Sequence, residues 1–250
     1  MKILINGFCG NMGQTIYNLA QNMQDITVSE GVDKQGVIMS FPNTEVKLYS
    51  DINDSCDCDV VVDFSHASAL KGILDFCKKN KKPVVLATTG YNEEDAAMIK
   101  KAAKEIPVFQ SSNMSEGVFA MLTLIKKAMP ILDGWDIEIV EKHHNHKKDT
   151  PSGTSLMMTK EVLAHRKDSN LMIGRGQESG VREKADVCVH SVRGGGVPGE
   201  HEIIFFAENE TLSIKHEAYS RKIFAKGALS AAKFIADKTP GYYTMADIFA

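Results

Sequence analysis

Residues 138–154 read Glu-Ile-Val-Glu-Lys-His-His-Asn-His-Lys-Lys-Asp-Thr-Pro-Ser-Gly-Thr, gathering three histidines, three lysines and a Ser-Gly-Thr turn into one short polar run. Histidine changes charge near neutral pH, so His143, His144 and His146 are equipped to move protons. Lys142, Lys147 and Lys148 repel one another, a cost that a bound anion offsets. Ser152, Gly153 and Thr154 enter a helix-like stretch, where first-turn N–H groups and two hydroxyls can hold a carboxylate. The chemistry expected of the run is anion binding with proton delivery. Two alternatives stay open on spacing: a solvated basic loop, and a metal held by His143 and His146 at i, i+3. No H-E-x-x-H pattern is present and Glu138 and Glu141 fall on a strand, so no metal is expected. His165, His190, His201 and His216 read as structural or surface residues, and His66 as a cofactor-edge candidate.

A second chemical signal lies at 7–13, Gly-Phe-Cys-Gly-Asn-Met-Gly, directly after the apolar strand 3–5. Gly7 permits a tight turn, Gly10 lets the backbone approach a pyrophosphate, and Gly13 allows close packing of a helix whose N-terminus faces the phosphates. Asp33 ends the next strand, about twenty residues past the last glycine, where a carboxylate accepts hydrogen bonds from ribose hydroxyls. Lys34 follows and could neutralise a 2′-phosphate, so the pair suggests use of both NADH and NADPH.

The elements that must position these groups follow from hydrophobic periodicity. Apolar strands at 3–5, 26–32, 60–64, 83–87 and 107–109 alternate with helical patterns, the first with Met12, Ile16, Leu19 and Met23 on one face. This predicts an α/β fold with a Rossmann-like, doubly wound parallel sheet, whose ligands lie beyond the carboxyl ends of the strands. Phe64, Ser65, Thr88, Thr89 and Asn113 fall there. In the second half a core helix runs to Pro130, a strand through Ile137 and Ile139 delivers the histidines, and 153–165 is helical. Strand-like runs at 186–192, 201–207 and 212–216 read as an antiparallel meander, and a last helix at 221–237 returns to the first domain. The expected division is 1–114 with 222–250 as a dinucleotide-binding domain, and 115–221 as an α+β substrate-binding and oligomerisation domain with a mixed or antiparallel sheet.

Composition narrows the function classes. With 250 residues, 43% hydrophobic and 24% charged, the chain can bury a good core, and a net charge of -3 gives no global attraction for nucleic acid. The N-terminal apolar stretch is too short for a signal peptide or a membrane span, so a cytoplasmic protein with no membrane association is expected. Five scattered cysteines do not form a disulfide framework, and Cys56-Asp57-Cys58 lacks a second pair at ligand spacing and reads as a surface loop.

By 7–13, Val62-Asp63-Phe64, Thr88-Thr89-Gly90, Ser112-Asn113, 138–154, Gly199-Glu200-His201 and Ser220-Arg221, the chain resembles the dihydrodipicolinate reductases over essentially its full length. The run from Glu141 to Thr154 is the most specific part. The resemblance implies NAD(P)H-dependent reduction of 4-hydroxy-tetrahydrodipicolinate, a small dicarboxylate, in diaminopimelate and lysine biosynthesis. It places His143 and Lys147 at the catalytic positions, His144 at the substrate, and Ser152, Gly153 and Thr154 around one of its carboxylates. Cofactor contacts map onto Gly7, Phe8, Cys9, Gly10, Asn11, Met12, Asp33, Lys34, Ala87, Thr88, Thr89, Ser111, Ser112, Asn113 and Met114. A homotetramer built through the sheet of the second domain is implied too. Asn11 stands where many members carry arginine, which removes a cation near the phosphates and tilts the expectation toward NADH. A different two-domain dehydrogenase would call for a catalytic cysteine facing the nicotinamide, and Cys9 within the glycine turn is poorly placed for that. A non-catalytic nucleotide sensor would call for a winged-helix region, which the pattern lacks.

Overall fold

The computed structural model describes residues 1–34 and 46–250. Two compact units emerge, Met1–Ser115 with Arg221–Ala250, and Glu116–Ser220. The first begins with β1 (Lys2–Asn6), α1 (Asn11–Ala20), β2 (Thr27–Val32), β3 (Lys47–Tyr49), β4 (Val60–Asp63), α2 (Leu70–Asn80), β5 (Val84–Leu86), α3 (Glu93–Ala102) and β6 (Pro107–Gln110). The second comprises α4 (Glu116–Ala128), β7 (Asp136–His143), α5 (Gly153–His165), β8 (Asn170–Ile173), β9 (Asp186–Arg193), β10 (Gly199–Phe206) and β11 (Thr211–Ala218). The chain then returns to the first unit with α6 (Lys222–Ile235), β12 (Gly241–Tyr243) and α7 (Met245–Ile248).

Among the described residues the first unit's sheet runs β12-β6-β5-β4-β1-β2-β3, with every pairing parallel. A parallel sheet covered on both faces demands continuous apolar strands. Ile3, Leu4 and Ile5 of β1, the three valines of β4, and Val84, Val85 and Leu86 of β5 are all buried. Helix α6 packs on α1 and on β4, β5 and β6, using its small residues Ala225, Gly227, Ala228, Ala231 and Ala232. The buried side of α1 is Gly13, Ile16 and Ala20 rather than the expected Met12, Leu19 and Met23 stripe, because the helix stops at Ala20, short of Met23. Strands β3 and β12, at three residues each, lie at the two edges of the sheet and are too short to leave a periodic pattern.

The second sheet has the order β11-β10-β7-β9-β8. It is mixed: β7 is antiparallel to β10 and parallel to β9, β8 is parallel to β9, and β10 is antiparallel to β11. The expected meander is therefore corrected, since β7 inserts between β9 and β10. The reason lies in β7 itself, whose Ile137 and Ile139 are fully buried and pack with Val187 and Val189 of β9 and Ile203 and Phe205 of β10 under α4 and α5. A strand so apolar on one face gains most from neighbours on both sides. The link 194–198 must then pass across the end of β7, and it bonds to it: Gly194 N donates to His143 O at 3.0 Å and His144 N to Val197 O at 2.8 Å. Among the described residues no helix is long and apolar enough to cross a membrane.

A methyl group on Gly227 would lie 1.7 Å from the Met114 carbonyl oxygen, whereas one on Gly72 in α2 would meet nothing within 4 Å. Gly227→Ala should therefore lower the unfolding free energy by about 1–3 kcal/mol through overpacking against fixed backbone. Gly72→Ala should leave it unchanged or raise it by up to ~1 kcal/mol, as alanine is the better helix former. Urea midpoints of the two variants against the parent check this.

Candidate active site

In the first unit the turn between β1 and α1 is closed by its own backbone, Gly10 N donating to Gly7 O at 3.1 Å and Gln14 N to Gly10 O at 3.0 Å. Gly7 adopts φ +82°, and a Cβ there would lie 2.5 Å from the Phe64 carbonyl oxygen; one on Gly13 would lie 2.3 Å from Gly7 O. Neither position tolerates a side chain. Gly10 precedes α1 in extended backbone with no side-chain cap, so the first-turn N–H groups are offered to an anion. The turn walls a cavity of about 720 Å³ at the carboxyl ends of β1, β2 and β4, with Asp33, Lys34, Ser65 and His66 around it. That volume, with backbone donors, a carboxylate and an ammonium, fits the phosphates and ribose of a dinucleotide.

The other expected cofactor residues divide by what their side chains can offer. Phe8 is fully buried with its ring edge-on to Tyr17 at 5.5 Å, so only its main chain belongs to the turn. Cys9 N donates to Asp33 Oδ2 at 3.0 Å, making Asp33 a brace of the turn as well as a wall of the cavity. Burial, then the Asp33 charge, push the Cys9 thiol up, away from nucleophilic use. Asn11 is exposed and Met12 half-buried at the start of α1. Ala87 and Thr88 are buried and Thr89 exposed where the chain leaves β5. After β6, Ser111 Oγ donates to Asn113 O at 2.6 Å and Asn113 Oδ1 accepts from Ser115 N at 2.8 Å, a self-bonded turn with Ser112 exposed and Met114 buried.

Behind that edge lies a residue that the sequence had shown only as part of a strand end. Asp63 is fully buried at the end of β4. Its Oδ1 accepts from Asn6 Nδ2 at 2.8 Å and Ser65 Oγ at 2.5 Å, and its Oδ2 from Thr88 Oγ1 at 2.7 Å and Tyr91 OH at 3.3 Å. Donors from the ends of β1, β4 and β5 thus converge on one carboxylate, and the Thr88 hydroxyl is committed to it.

In the second unit β7 carries Glu141 and His143 on its helix-covered face and Lys142 on the other, following the two-residue period of a strand. Lys142 Nζ meets Glu200 Oε1 at 2.5 Å, and Lys147 Nζ meets Asp149 Oδ2 at 2.9 Å. The repulsion expected among the lysines is therefore largely offset by the chain's own carboxylates, with Lys148 exposed. His143 is 8% exposed and its Nδ1 lies 2.5 Å from Glu141 Oε2. His144 is half-buried, its ring 6.4 Å from that of the exposed His146. Ser152 caps α5, and its hydroxyl is taken up within the protein by Ser155 N at 3.2 Å, Ser155 Oγ at 2.9 Å and His201 Nε2 at 2.8 Å. Ser152 therefore shapes the turn, while Gly153 lies exposed, with open space where a side chain would stand, and Thr154 is half-buried.

Three residues complete this cluster that sequence reasoning left out. Glu141 is fully buried, and Arg193 grips it with Nη1 on Oε2 at 2.8 Å and Nη2 on Oε1 at 2.7 Å. Burial would push the Glu141 carboxyl up, but hydrogen bonds led by Arg193 outweigh it and hold it at about 2. Burial pushes His143 down, Glu141 opposes this, and Lys147 and Arg193 add to it. His201, expected to be structural or surface, is buried beside His143, ring to ring at 5.1 Å, and is held down at about 3 by burial and then by His143. Its Nδ1 has no partner among the described residues. The usable sequence signal for Glu141 was its i, i+2 relation to His143 on a strand; for Arg193 and His201 it required knowing that β9 and β10 flank β7. A three-donor cluster of the metal-binding kind does occur among the described residues, at Glu138, Cys188 and His190, and it does not include the His143 and His146 pair weighed from spacing. There Glu138 already bonds His190 Nε2 at 2.6 Å and Arg182 Nε at 3.2 Å.

Comparison with known proteins agrees over both units. Residues 1–114 match the family model described as dihydrodipicolinate reductase, N-terminus, and 117–249 that described as dihydrodipicolinate reductase, C-terminus. The chain is 42% identical to the 4-hydroxy-tetrahydrodipicolinate reductase of Caldanaerobacter subterraneus subsp. tengcongensis, covering 99% of this chain and 98% of that one. It is 41% identical to the enzyme of the same name from Clostridium perfringens strain SM101, at the same coverage. Among solved structures, a dipicolinate-bound dihydrodipicolinate reductase from Paenisporosarcina sp. TG-14 shares the fold, with TM-score 0.81, 21% identity and coverage of 98% and 97%.

The Glu141 carboxyl has an acid consequence whose sign is fixed. Held at about 2 against an ordinary 4.5, it contributes stability that is fully present above about 4.5 and is lost as pH falls toward 2. In urea unfolding between pH 6 and 3, the stability gap between the parent and Glu141→Gln should narrow as pH falls. A gap constant across that range would contradict the buried ionised pair.

Proposed function

This chain belongs to the dihydrodipicolinate reductase family, and we propose how its own residues carry out the NAD(P)H-dependent reduction of 4-hydroxy-tetrahydrodipicolinate to tetrahydrodipicolinate. The observation that carries the proposal is one cluster in the second unit holding a buried histidine backed by a carboxylate, a lysine and a capped helix N-terminus. The net reaction consumes a hydride and a proton and releases the 4-hydroxyl as water. A bound nicotinamide supplies the hydride. The protein must supply the proton and the counter-charge for two carboxylates.

His143 and Lys147 are the candidate proton donors. His143 ends β7 and Lys147 lies on the loop that follows; both bear exchangeable protons, and Lys147, beside Asp149, also provides positive charge. The start of α5 at Gly153 and Thr154 offers N–H groups and a hydroxyl to one substrate carboxylate, and His144 lies on the same connecting run. Ser152 acts one step back, as the cap that orients this turn. In the first unit the glycine turn takes the phosphates, Asp33 and Lys34 face the adenosine ribose, and the turns after β5 and β6 line the same sheet edge.

We assign the first unit to dinucleotide binding and the second to substrate binding and assembly. A homotetramer is supported by the uncovered face of the second sheet, where Val140, Ile204 and Phe206 stand half-buried among the ion pairs of Glu138 and Lys142. A cytoplasmic setting suits a pathway enzyme of soluble substrates.

His143→Ala and Lys147→Ala should each lower kcat by about 10²- to 10⁴-fold while nucleotide affinity is retained. The double variant should lose less than the sum of both. Steady-state kinetics with substrate generated from pyruvate and aspartate semialdehyde by the preceding synthase, together with fluorescence titration of NADH, measures this. Near-parent turnover in both single variants would sink the assignment.

Cofactor choice rests on Asp33 and Lys34. Lys34→Ala should weaken NADPH selectively, by about 0.5–2 kcal/mol for a charge-assisted contact at an exposed site. Asp33→Ala should weaken NADH, and more than ribose contacts alone would require, because Asp33 also accepts the Cys9 N–H. Parallel titrations of both nucleotides decide it, and equal losses in Lys34→Ala would remove that residue from discrimination.

A further inference from the structure

We infer that Glu141 is a positioning residue that fixes the tautomer of His143 and locks it to the substrate-carboxylate turn. The inference rests on the proposed role of His143 and extends it to a residue that need not touch substrate.

An ionised carboxylate can only accept hydrogen bonds. Glu141 has no exposed surface, and among the described residues it accepts from His143 Nδ1 at 2.5 Å and Arg193 Nη1 at 2.8 Å on Oε2, and from Arg193 Nη2 at 2.7 Å and Ser152 N at 3.2 Å on Oε1, with the Ser191 side chain also stabilising its charge. His143 Nδ1 must therefore carry a hydrogen in both of its protonation states. The proton that is gained and lost sits on Nε2. That atom makes no hydrogen bond among the described residues, and its neighbour across the strand is Gly199, where even a Cβ would approach to 3.2 Å. The absence of a side chain at 199 keeps the reactive nitrogen clear.

The second half of the device is Oε1. By accepting the Ser152 N–H it holds the residue immediately before Gly153, and Ser152 Oγ is braced in turn by His201 Nε2 at 2.8 Å. One carboxylate thus sets both the direction of the proton donor and the place of the turn. The charged and titratable groups around His143 are Glu141 on β7, Lys147 on the following loop, Arg193 on β9 and His201 on β10. Glu141 alone among them favours the protonated imidazole, and it works against burial and the charges of Lys147 and Arg193. Neutralising Glu141 should therefore make His143 harder to protonate.

If Glu141 served only as a counter-ion for Arg193, its replacement would change stability without changing which ring nitrogen is protonated. Long-range ¹H–¹⁵N spectra of histidine-labelled protein read the tautomer directly, with His143→Gln identifying the resonance. The parent should show neutral His143 as Nδ1–H, with Nε2 titrating. In Glu141→Gln the amide can present N–H to Nδ1, so the Nε2–H tautomer should appear and titration should move to lower pH. The matching kinetics should show kcat lowered on the order of 10²-fold or more, its alkaline limb displaced to lower pH, and KM for the dicarboxylate changed less than kcat. Glu141→Asp should recover the parent tautomer and part of kcat. An Nε2–H tautomer in the parent, or an unchanged tautomer in Glu141→Gln, overturns the inference, and the parent spectrum alone suffices if Glu141→Gln does not fold. Full turnover in His143→Gln would instead overturn the proposed proton donor and leave the tautomer result standing.

Discussion

A carboxylate sealed from water is tolerable only if donors fill its lone pairs, and the second unit is arranged around meeting that demand for Glu141. No single element can do so. His143 is on the same strand, Arg193 ends the neighbouring parallel strand, and Ser152 opens the helix that follows. The pairing of His143 with Arg193 in the β7–β9 register is what brings the guanidinium level with the carboxylate. A register slip of one residue would send Arg193 to the opposite face and leave the charge uncompensated, a penalty of several kcal/mol. Strand order, register and the geometry of His143 are thus one constraint.

The first unit solves a different problem by a related route. Its cofactor edge is made of turns, which have few contacts of their own to hold them. Asp63 gathers Asn6, Ser65, Thr88 and Tyr91 onto one buried carboxylate, so the turns after β1, β4 and β5 are tied beneath the surface they present. Asp33 does the same at smaller scale by accepting the Cys9 N–H. In both units a buried carboxylate accepts hydrogen bonds from several elements at once.

Much of this was legible in the sequence where chemistry and periodicity coincide. The strand, glycine turn and helix at the N-terminus, Asp33 at the end of β2, and the α5 boundaries of Gly153 and His165 all follow from local pattern. The run at 138–154 pointed to the cluster that the structure builds around His143. Glu141 was hidden because an acidic residue on a strand reads as solvent-facing, and only the two-residue period shared with His143 argues otherwise. The strand order of the second sheet could not be read, because the pattern of β9, β10 and β11 fits a meander equally well; insertion of β7 is decided by which faces bury together. His201 and Arg193 went unrecognised for the same reason, since they become neighbours of His143 only through that insertion.

The crossing of 194–198 over the end of β7 sets when a working site can exist during synthesis. The carbonyl of His143 is met by Gly194, and the amide of His144 by Val197, about fifty residues later in the chain. A ribosome that has already delivered every residue of the histidine run has therefore not yet delivered its frame. Until β9 and β10 have emerged and closed on either side, the run is an unbraced loop bearing a charged glutamate with no guanidinium to meet it. Chains interrupted before that point lack both strands that flank β7 and the guanidinium that meets Glu141, so the frame around His143 is completed only by the last third of the chain.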